Sequence, residues 1–512
     1  MRRLRLPIFA GHPNMARPEC IRFRWFRGIT LWAAVLGSSV CLIAGCALIH
    51  EKGKPNATIA PEQIRLADDI HLASDGWPSA RWWKDYGDPQ LNALIDRALA
   101  GAPTMVIAHA RVSQAKSDVE LVRAGMGLQT VALALINREH ISAHGFLGPF
   151  AASDPALGTT GPWYTEGIVG LSASLAIDIW GKQRAEIAAS LGVHNARLAE
   201  TSAVELELSA DVAQLYYGIQ TTYQLIALLE ESQKVAAFEV ESHSARAARG
   251  LEERTRTEDA RALELAVQRQ IVDALGQIRQ LRESLRALIG AGPDGLPEIV
   301  PVPLPRTQAS LPAMLSYELL ARRPDLQALR WYVESSFDRI DAAKAAFYPS
   351  FNIKAFFGFD ALHLSDLFTH ASQQINLIPG LYLPIFDGGR LNANLGGARA
   401  VSNTLIEQYN QAVLNAVRDV AKTGSRLQDL DADVRLQQQK VDAVAFAKDS
   451  AEARYQRGLA SRLVAMEARQ PWIAERVALL DLDGQRISQG ITLAKALGGG
   501  YRADAPVELA PR

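Results

Sequence analysis

The feature that most constrains the fold of this 512-residue chain is that it repeats itself. Asp211-Val212-Ala213 corresponds to Asp419-Val420-Ala421 at a spacing of 208 residues (419 minus 211), and other matches keep that spacing. They are Leu175 with Leu383, Gly181 with Gly389, Lys182 with Arg390, and Arg249-Gly250-Leu251 with Arg457-Gly458-Leu459. Two copies of one supersecondary unit are therefore predicted.

Each repeat has the pattern of a helix, two strands, a long helix, a turn and a second helix. Pro103 matches Pro324 at a spacing of 221 (324 minus 103), so the first repeat holds 13 extra residues (221 minus 208), assigned to the stretch around 153–167. The predicted units are residues 88–300 for the first repeat and 301–500 for the second. Residues 501–512 are predicted to be a disordered tail.

Larger apolar residues recur at every second position in four segments, which predicts two strands in each repeat. The segments are 131–135, 169–179, 351–360 and 375–385. One apolar face suits either a transmembrane β-barrel or a soluble sheet. Four strands cannot close a barrel in lipid, so the membrane interpretation needs several chains. Of the small oligomers, only a trimer with twelve strands (3 × 4) leaves a water-filled lumen.

The helical segments are long for a compact domain. No proline occurs between Gly181 and Gly292, and residues 183–246 are predicted to form one helix of roughly 64 residues, about 95 Å long. Glycine at the two Arg-Gly-Leu segments can end a helix in the left-handed conformation, so each rod is predicted to fold back there. Strands at one end and turns at the other predict a long tube; a coiled-coil stalk is the alternative.

The N-terminus has the layout of an export signal. Basic residues precede an apolar run at 29–44, which is too short to span a bilayer as a helix. Ile43-Ala44-Gly45-Cys46 resembles the bacterial lipobox, so residues 1–45 are predicted to be a signal peptide and Cys46 to carry covalent lipid. Residues 46–87 would then be a lipid-anchored segment. Translation could start at Met1 or Met15.

Composition and motifs argue against several functions. The net charge of -1 is spread along the chain, so nucleic acid is not an expected partner. There is no His-Glu-x-x-His pair, no phosphate-binding glycine loop and no dinucleotide fingerprint. The chain is therefore predicted not to be an enzyme, and neither a metal nor a cofactor other than the Cys46 lipid is expected.

The order of several segments resembles the TolC/OprM-like outer-membrane factors, in particular the lipoprotein branch of resistance-nodulation-division efflux systems. These segments are Trp82-Trp83, 91–98, Ile177-Asp178-Ile179-Trp180-Gly181-Lys182, Arg322-Arg323-Pro324-Asp325-Leu326, Ala345-Ala346-Phe347-Tyr348-Pro349-Ser350, 383–390 and the two Arg-Gly-Leu turns. The resemblance implies a homotrimer whose twelve-stranded β-barrel continues into an α-helical barrel. It also implies a periplasmic adaptor and an inner-membrane pump as partners.

The resemblance assigns roles to two groups of residues. Arg249, Gly250, Leu251, Arg457, Gly458 and Leu459 would be the helical tips that contact the adaptor. The candidates for a periplasmic aperture are Tyr455, Glu467, Asp259 and Arg462, where Asp259 is the repeat mate of Glu467 (467 minus 259 is 208). Val464 stands where the family commonly has a second acidic residue. Pro471, inside the last helix, predicts a kink there.

The function implied is a lipid-anchored duct in the outer membrane that passively conducts small toxic compounds or drugs from the periplasm to the exterior. The same duct could instead serve type I protein secretion or metal export. A periplasmic coiled-coil adaptor is a third alternative, but an adaptor would have one helical hairpin, whereas this sequence predicts two.

Overall fold

The computed structural model describes residues 49, 56–59, 77–140, 142, 144, 163–305 and 322–503. The predicted signal peptide, Cys46, most of the stretch around 153–167 and residues 504–512 of the predicted tail lie outside these ranges. Among the helices of the described residues, none combines the length and the apolar character that a bilayer crossing requires.

The first repeat begins after a short 3₁₀ helix, Trp82–Tyr86. Its elements are α1 (Pro89–Gly101), α2 (Pro103–Ala124), β1 (Gln129–His140), β2 (Trp163–Ile177), α3 (Lys182–Ala248) and α4 (Arg254–Leu288). The single leading helix expected from the sequence is divided at Ala102, whose extended backbone ends α1, and Pro103 then begins α2. Proline is well suited to a first helical turn because its missing N–H would have no partner there.

The second repeat reproduces this order. Its described elements are α5 (Pro324–Ala345), β3 (Ser350–Ala361), β4 (Gln373–Tyr382), α6 (Arg390–Gln456), α7 (Arg462–Glu467) and α8 (Arg469–Ala496). The bounds of α3 and α6 differ by 208 residues at both ends, and those of β1 and β3 differ by 221 at both ends. The predicted internal duplication and both offsets are therefore confirmed.

The four strands form one antiparallel sheet in the order β1-β2-β3-β4. Its register brings Leu171, Phe357 and Ile375 onto one face, since Leu171 pairs with Phe357 and Phe357 with Ile375. These three side chains are at least half exposed in the single chain. The opposite face carries polar residues such as Ser174 and Asn352. The predicted period of two thus produces an apolar face that crosses β2, β3 and β4.

Two strands end earlier than predicted. β2 stops at Ile177 instead of 179, because the Asp178 carboxylate accepts a hydrogen bond from the Arg184 N–H and turns the chain into α3. β4 stops at Tyr382 instead of 385, two residues before Pro384.

The long helices are continuous rods of 67 residues each, about 100 Å at 1.5 Å per residue. α3 packs against α2, α4, α5 and α8, and α6 packs against α5 and α8. The largest apolar core lies at the middle of α3. There the buried Tyr216 hydroxyl donates a 2.6 Å hydrogen bond to Asp88, whose other oxygen caps α1. This core fixes the α3 rod halfway between the sheet and the turns, where α1, α4 and α8 pack against it.

The predicted kink near Pro471 occurs slightly upstream. α7 ends at Glu467 and α8 begins at Arg469, with Ala468 between them. Pro471 is then in the first turn of α8 and cannot donate to the Glu467 carbonyl four residues earlier. The equivalent helix of the first repeat, α4, is unbroken. The two turns match, but the helices that follow them differ, because α4 is continuous whereas α7 and α8 are separate.

Candidate functional site

Both Arg-Gly-Leu segments form the same tight turn at the end of a rod. In the first, Gly250 has φ of 70° and the Leu251 N–H donates to the Arg246 carbonyl at 2.9 Å. In the second, Gly458 has φ of 72° and the Leu459 N–H donates to the Arg454 carbonyl at 2.8 Å. This six-to-one hydrogen bond around a left-handed glycine is a Schellman motif. The predicted fold-back of each rod is confirmed.

The leucine after each glycine is unusually exposed. In a Schellman motif this residue commonly packs on the preceding helix turn. Here Leu251 is 68% exposed and Leu459 is 74% exposed, and no neighbouring atom lies within 4 Å of a Cβ built on Gly250 or Gly458. Each tip therefore presents an apolar side chain to solvent, flanked by the arginines Arg249 and Arg457. Its assigned contact with an adaptor remains a prediction.

The four aperture candidates do not converge in the single chain. Arg462 places its guanidinium 4.7 Å from the centre of the Phe238 ring on α3. Tyr455 is in the last turn of α6, and Asp259 is on the exposed side of α4. Glu467 instead approaches α3, where its carboxylate lies 4.0 Å from His243 Nε2.

His243 joins the two repeats at this end of the molecule, a contact that the sequence did not reveal. Its Nδ1 is hydrogen bonded to Glu252 of the first tip at 2.8 Å, and its Nε2 faces Glu467 of the second. Arg246 lies 3.4 Å from the same Glu252 carboxylate. The contact between His243 and Glu252 could have been predicted, because a turn at Gly250 folds Glu252 back towards the helix that carries His243.

A buried carboxylate completes this cluster. Glu239, one turn before His243, is only 8% exposed. Burial raises the pKa of Glu239, the nearby Glu467 charge raises it further, and His243 lowers it. When folding raises the pKa of a carboxyl, ionising it costs more free energy in the folded state than in the unfolded state. The folded state therefore loses stability as pH rises above the ordinary pKa of 4.5, and the loss stops growing above the folded pKa.

Glu239→Gln is therefore expected to raise the unfolding temperature of the purified protein at pH 7 and to leave it nearly unchanged at pH 4, where the carboxyl is mostly neutral in both states. Thermal unfolding followed by circular dichroism at the two pH values measures this. Glu241→Gln, an exposed position on the same helix, is the matched control. An equal shift at both pH values would show that packing, not ionisation, is responsible.

The shape of the chain, a four-stranded sheet joined to two 67-residue rods, agrees with its sequence relationships. The family model described as outer membrane efflux protein matches residues 94–291 and 315–499. The chain belongs to the outer membrane efflux protein family. Membership of this family does not support the alternative that the protein is a periplasmic coiled-coil adaptor.

Individual members of the outer membrane efflux protein family agree over nearly the whole chain. The multidrug resistance outer membrane protein MdtP of Shigella flexneri is 56% identical over 478 residues, covering 93% of this chain and 98% of the relative. The solved outer membrane protein VceC of Vibrio cholerae is 30% identical, with a TM-score of 0.72 over 83% of this chain and 100% of VceC. The CmeC outer membrane channel of Campylobacter jejuni, 20% identical, shares the fold with a TM-score of 0.76, over 90% of this chain and 96% of CmeC.

Proposed function

We propose that the protein is the outer-membrane exit duct of a tripartite efflux pump and that it works as a homotrimer. The observation that carries the proposal is the apolar face of the open sheet, whose edges β1 and β4 each lack a second neighbour among the described strands. Unpaired strand edges are not tolerated in lipid. Three chains joined edge to edge supply twelve strands (3 × 4) and close a barrel around a lumen.

Within that assembly the rods extend about 100 Å from the barrel, and the turns with Leu251 and Leu459 face a periplasmic adaptor. An inner-membrane pump supplies the energy, and the duct itself is a passive conduit. Small toxic compounds are the proposed cargo because the relatives at 56% identity are named for multidrug resistance.

This proposal is tested by deleting the gene in its host and measuring the accumulation of dyes, antibiotics and metal ions. We expect accumulation of several organic compounds to rise and to return to normal when the gene is restored. A rise confined to metal ions would reassign the duct to metal export. Unchanged accumulation of every compound in the deletion strain, together with a wild-type protein that does not assemble into an oligomer, would overturn the proposal.

We also propose that Cys46 carries the lipid and is held near the membrane by the segment that follows it. Ile49 packs against the cluster that contains Phe347 and Leu391, where the helices meet the sheet. Farther along α6, Asn56 binds Asn403 and Glu407. Ile49, three residues after Cys46 in the sequence, thus lies at this junction. This position supports an anchor in the inner leaflet of the outer membrane.

Cys46→Ala is expected to abolish metabolic labelling with radioactive palmitate and to leave an uncleaved precursor that migrates more slowly on a gel. The protein should stay in the outer membrane, because an acyl anchor adds little to a barrel that already spans the bilayer. Cys41→Ala, five residues earlier, is the control and should be labelled normally. Labelled Cys46→Ala protein would place the lipid on another residue.

A further inference from the structure

Two adjoining cavities lie where the sheet meets the long helices. Their volumes are about 400 and 620 Å³. Both are lined by Lys182, Glu186, Ala346, Arg390 and Leu391, so they lie on either side of the same residues. We call the two cavities together the junction recess.

The basic side chains of the recess come from both repeats. Lys182 and Arg390 are repeat mates (390 minus 182 is 208), and each is the first residue of its long helix. Arg339 of α5 contributes a third cation to the larger cavity. A cation is electrostatically unfavourable at the positive end of a helix dipole. Helix stability therefore does not explain why a basic residue occupies this position in both repeats.

The carboxylates that line the recess do not balance these cations. Glu186 lies 3.9 Å from Lys182 and offsets that charge. Asp178 is engaged by Arg184, through an ion pair at 3.5 Å and the backbone N–H. Among the described residues, neither Arg339 nor Arg390 forms an ion pair with a carboxylate that lines the recess. The lining therefore has three cations and two carboxylates, which leaves an excess of positive charge.

The recess opens on the polar side of the sheet. Its strand wall comes mainly from even-numbered residues, such as Ala176 and Asn352, which are on the face opposite the apolar one. On α6, Asn394 lines the recess, whereas Asn403 and Asn410, which bind the N-terminal segment, lie on the other side at 3.6 residues per turn. If the apolar face meets lipid, the recess faces the lumen.

An aromatic surface adjoins the cations. The rings of Trp180 and Tyr348 stack with centroids 4.9 Å apart and planes 21° apart, and both line the smaller cavity. The Trp180 indole N–H donates to the Pro349 carbonyl at 2.9 Å, which holds the ring in place. Both side chains remain nearly half exposed, at 48% and 47%. Flat apolar molecules can stack on such a surface.

We propose that the junction recess binds organic anions that carry a carboxylate or sulfonate on an aromatic body. Lys182, Arg339 and Arg390 would bind the acidic group by charge-assisted hydrogen bonds, and the Trp180–Tyr348 pair would contact the body. The inference rests on the proposed function for its place in transport, since it makes the recess a transient site on the path through the duct.

The test is equilibrium binding of carboxyfluorescein to the purified full-length protein in detergent, followed by fluorescence anisotropy. Lys182→Gln/Arg390→Gln removes two of the three cations and is expected to raise the Kd at least about tenfold, because each charge-assisted hydrogen bond is worth about 1.5 kcal/mol. Wild-type binding should also weaken at high salt. The matched control is Arg435→Gln, an exposed arginine on α6 about 65 Å from the recess, which should bind as wild type.

Rhodamine 6G, a cationic dye with the same ring system, distinguishes charge recognition from apolar adsorption. Its affinity should not fall in the double variant. Unchanged carboxyfluorescein binding in a folded, assembled double variant would overturn the inference, as would an equal loss for both dyes. The two tests are independent. If deleting the gene leaves accumulation unchanged, the proposed duct is refuted. If deletion raises accumulation but the double variant binds carboxyfluorescein as the wild type does, only the recess is refuted.

Discussion

Leu251→Ser/Leu459→Ser is expected to raise drug accumulation to the level of the deletion strain while the protein remains assembled in the outer membrane. Both leucines are more than two-thirds exposed, so their replacement changes the free energy of unfolding by no more than about 0.5 kcal/mol. In the complete pump each would be buried against the adaptor, which is worth about 1.5–3 kcal/mol per side chain. A trimer presents six such contacts (3 × 2), so their combined loss should uncouple the duct.

Two measurements separate lost coupling from lost protein. Heat-modifiable migration on a gel reports assembly, and crosslinking to the adaptor in intact cells reports the contact. Leu251→Met/Leu459→Met keeps an apolar side chain of similar volume at both tips and should transport normally. Normal efflux by the serine variant would show that the tips do not contact the adaptor through these residues. The two single variants then show which repeat contributes more.

The parts of the fold that sequence alone predicted are those governed by local rules. Long proline-free stretches form helices, and a glycine in the left-handed conformation ends each rod. The turns at Gly250 and Gly458 could therefore be predicted at the right positions. The duplication then constrained the rest, because an element found in one half was required in the other. The lipid on Cys46 and the roles of the tips and aperture residues remain predictions.

The parts that were missed depend on contacts between distant segments. In β1, the larger apolar residues Val131, Leu133 and Leu135 have odd numbers, as those of β2 do, but the register pairs Val131 with Ser172 and Leu133 with Gly170. They therefore lie on the polar face. Alternation reveals two faces in a strand but not which face matches a neighbour's, because a shift of one residue exchanges them.

The tip cluster was missed for a related reason. His243 and Glu467 come from different repeats and are 224 residues apart (467 minus 243), so no spacing rule connects them. The repeat offered no help either, since the position equivalent to His243 is Ala451 (243 plus 208). Duplication predicts what the halves share, whereas this contact exists because they differ.

The second large effect is expected at the seam between the repeats, where Gly358 of β3 pairs directly with Gly170 of β2. A Cβ at Gly358 would lie 2.3 Å from the Val169 carbonyl oxygen and 2.6 Å from Gly170 Cα. Both are backbone atoms, which cannot move without separating the strands. Phe356 closes the remaining space, since its Cζ would be 2.8 Å away. Gly358→Val should therefore cost about 3 kcal/mol in each chain.

Because every chain of a closed barrel carries this seam, Gly358→Val is expected to reduce the assembled outer-membrane protein at least about tenfold and to abolish efflux with it. Immunoblots of unheated envelope fractions measure the assembled form. Gly396→Val makes the same substitution on α6, where a Cβ meets no atom within 4 Å, and should assemble normally. Normal assembly of Gly358→Val would mean that β2 and β3 do not approach each other at this register in the membrane. The apolar face that supports the barrel would then have to be built differently, because the β2–β3 pair is what joins the apolar residues of the two repeats into one surface.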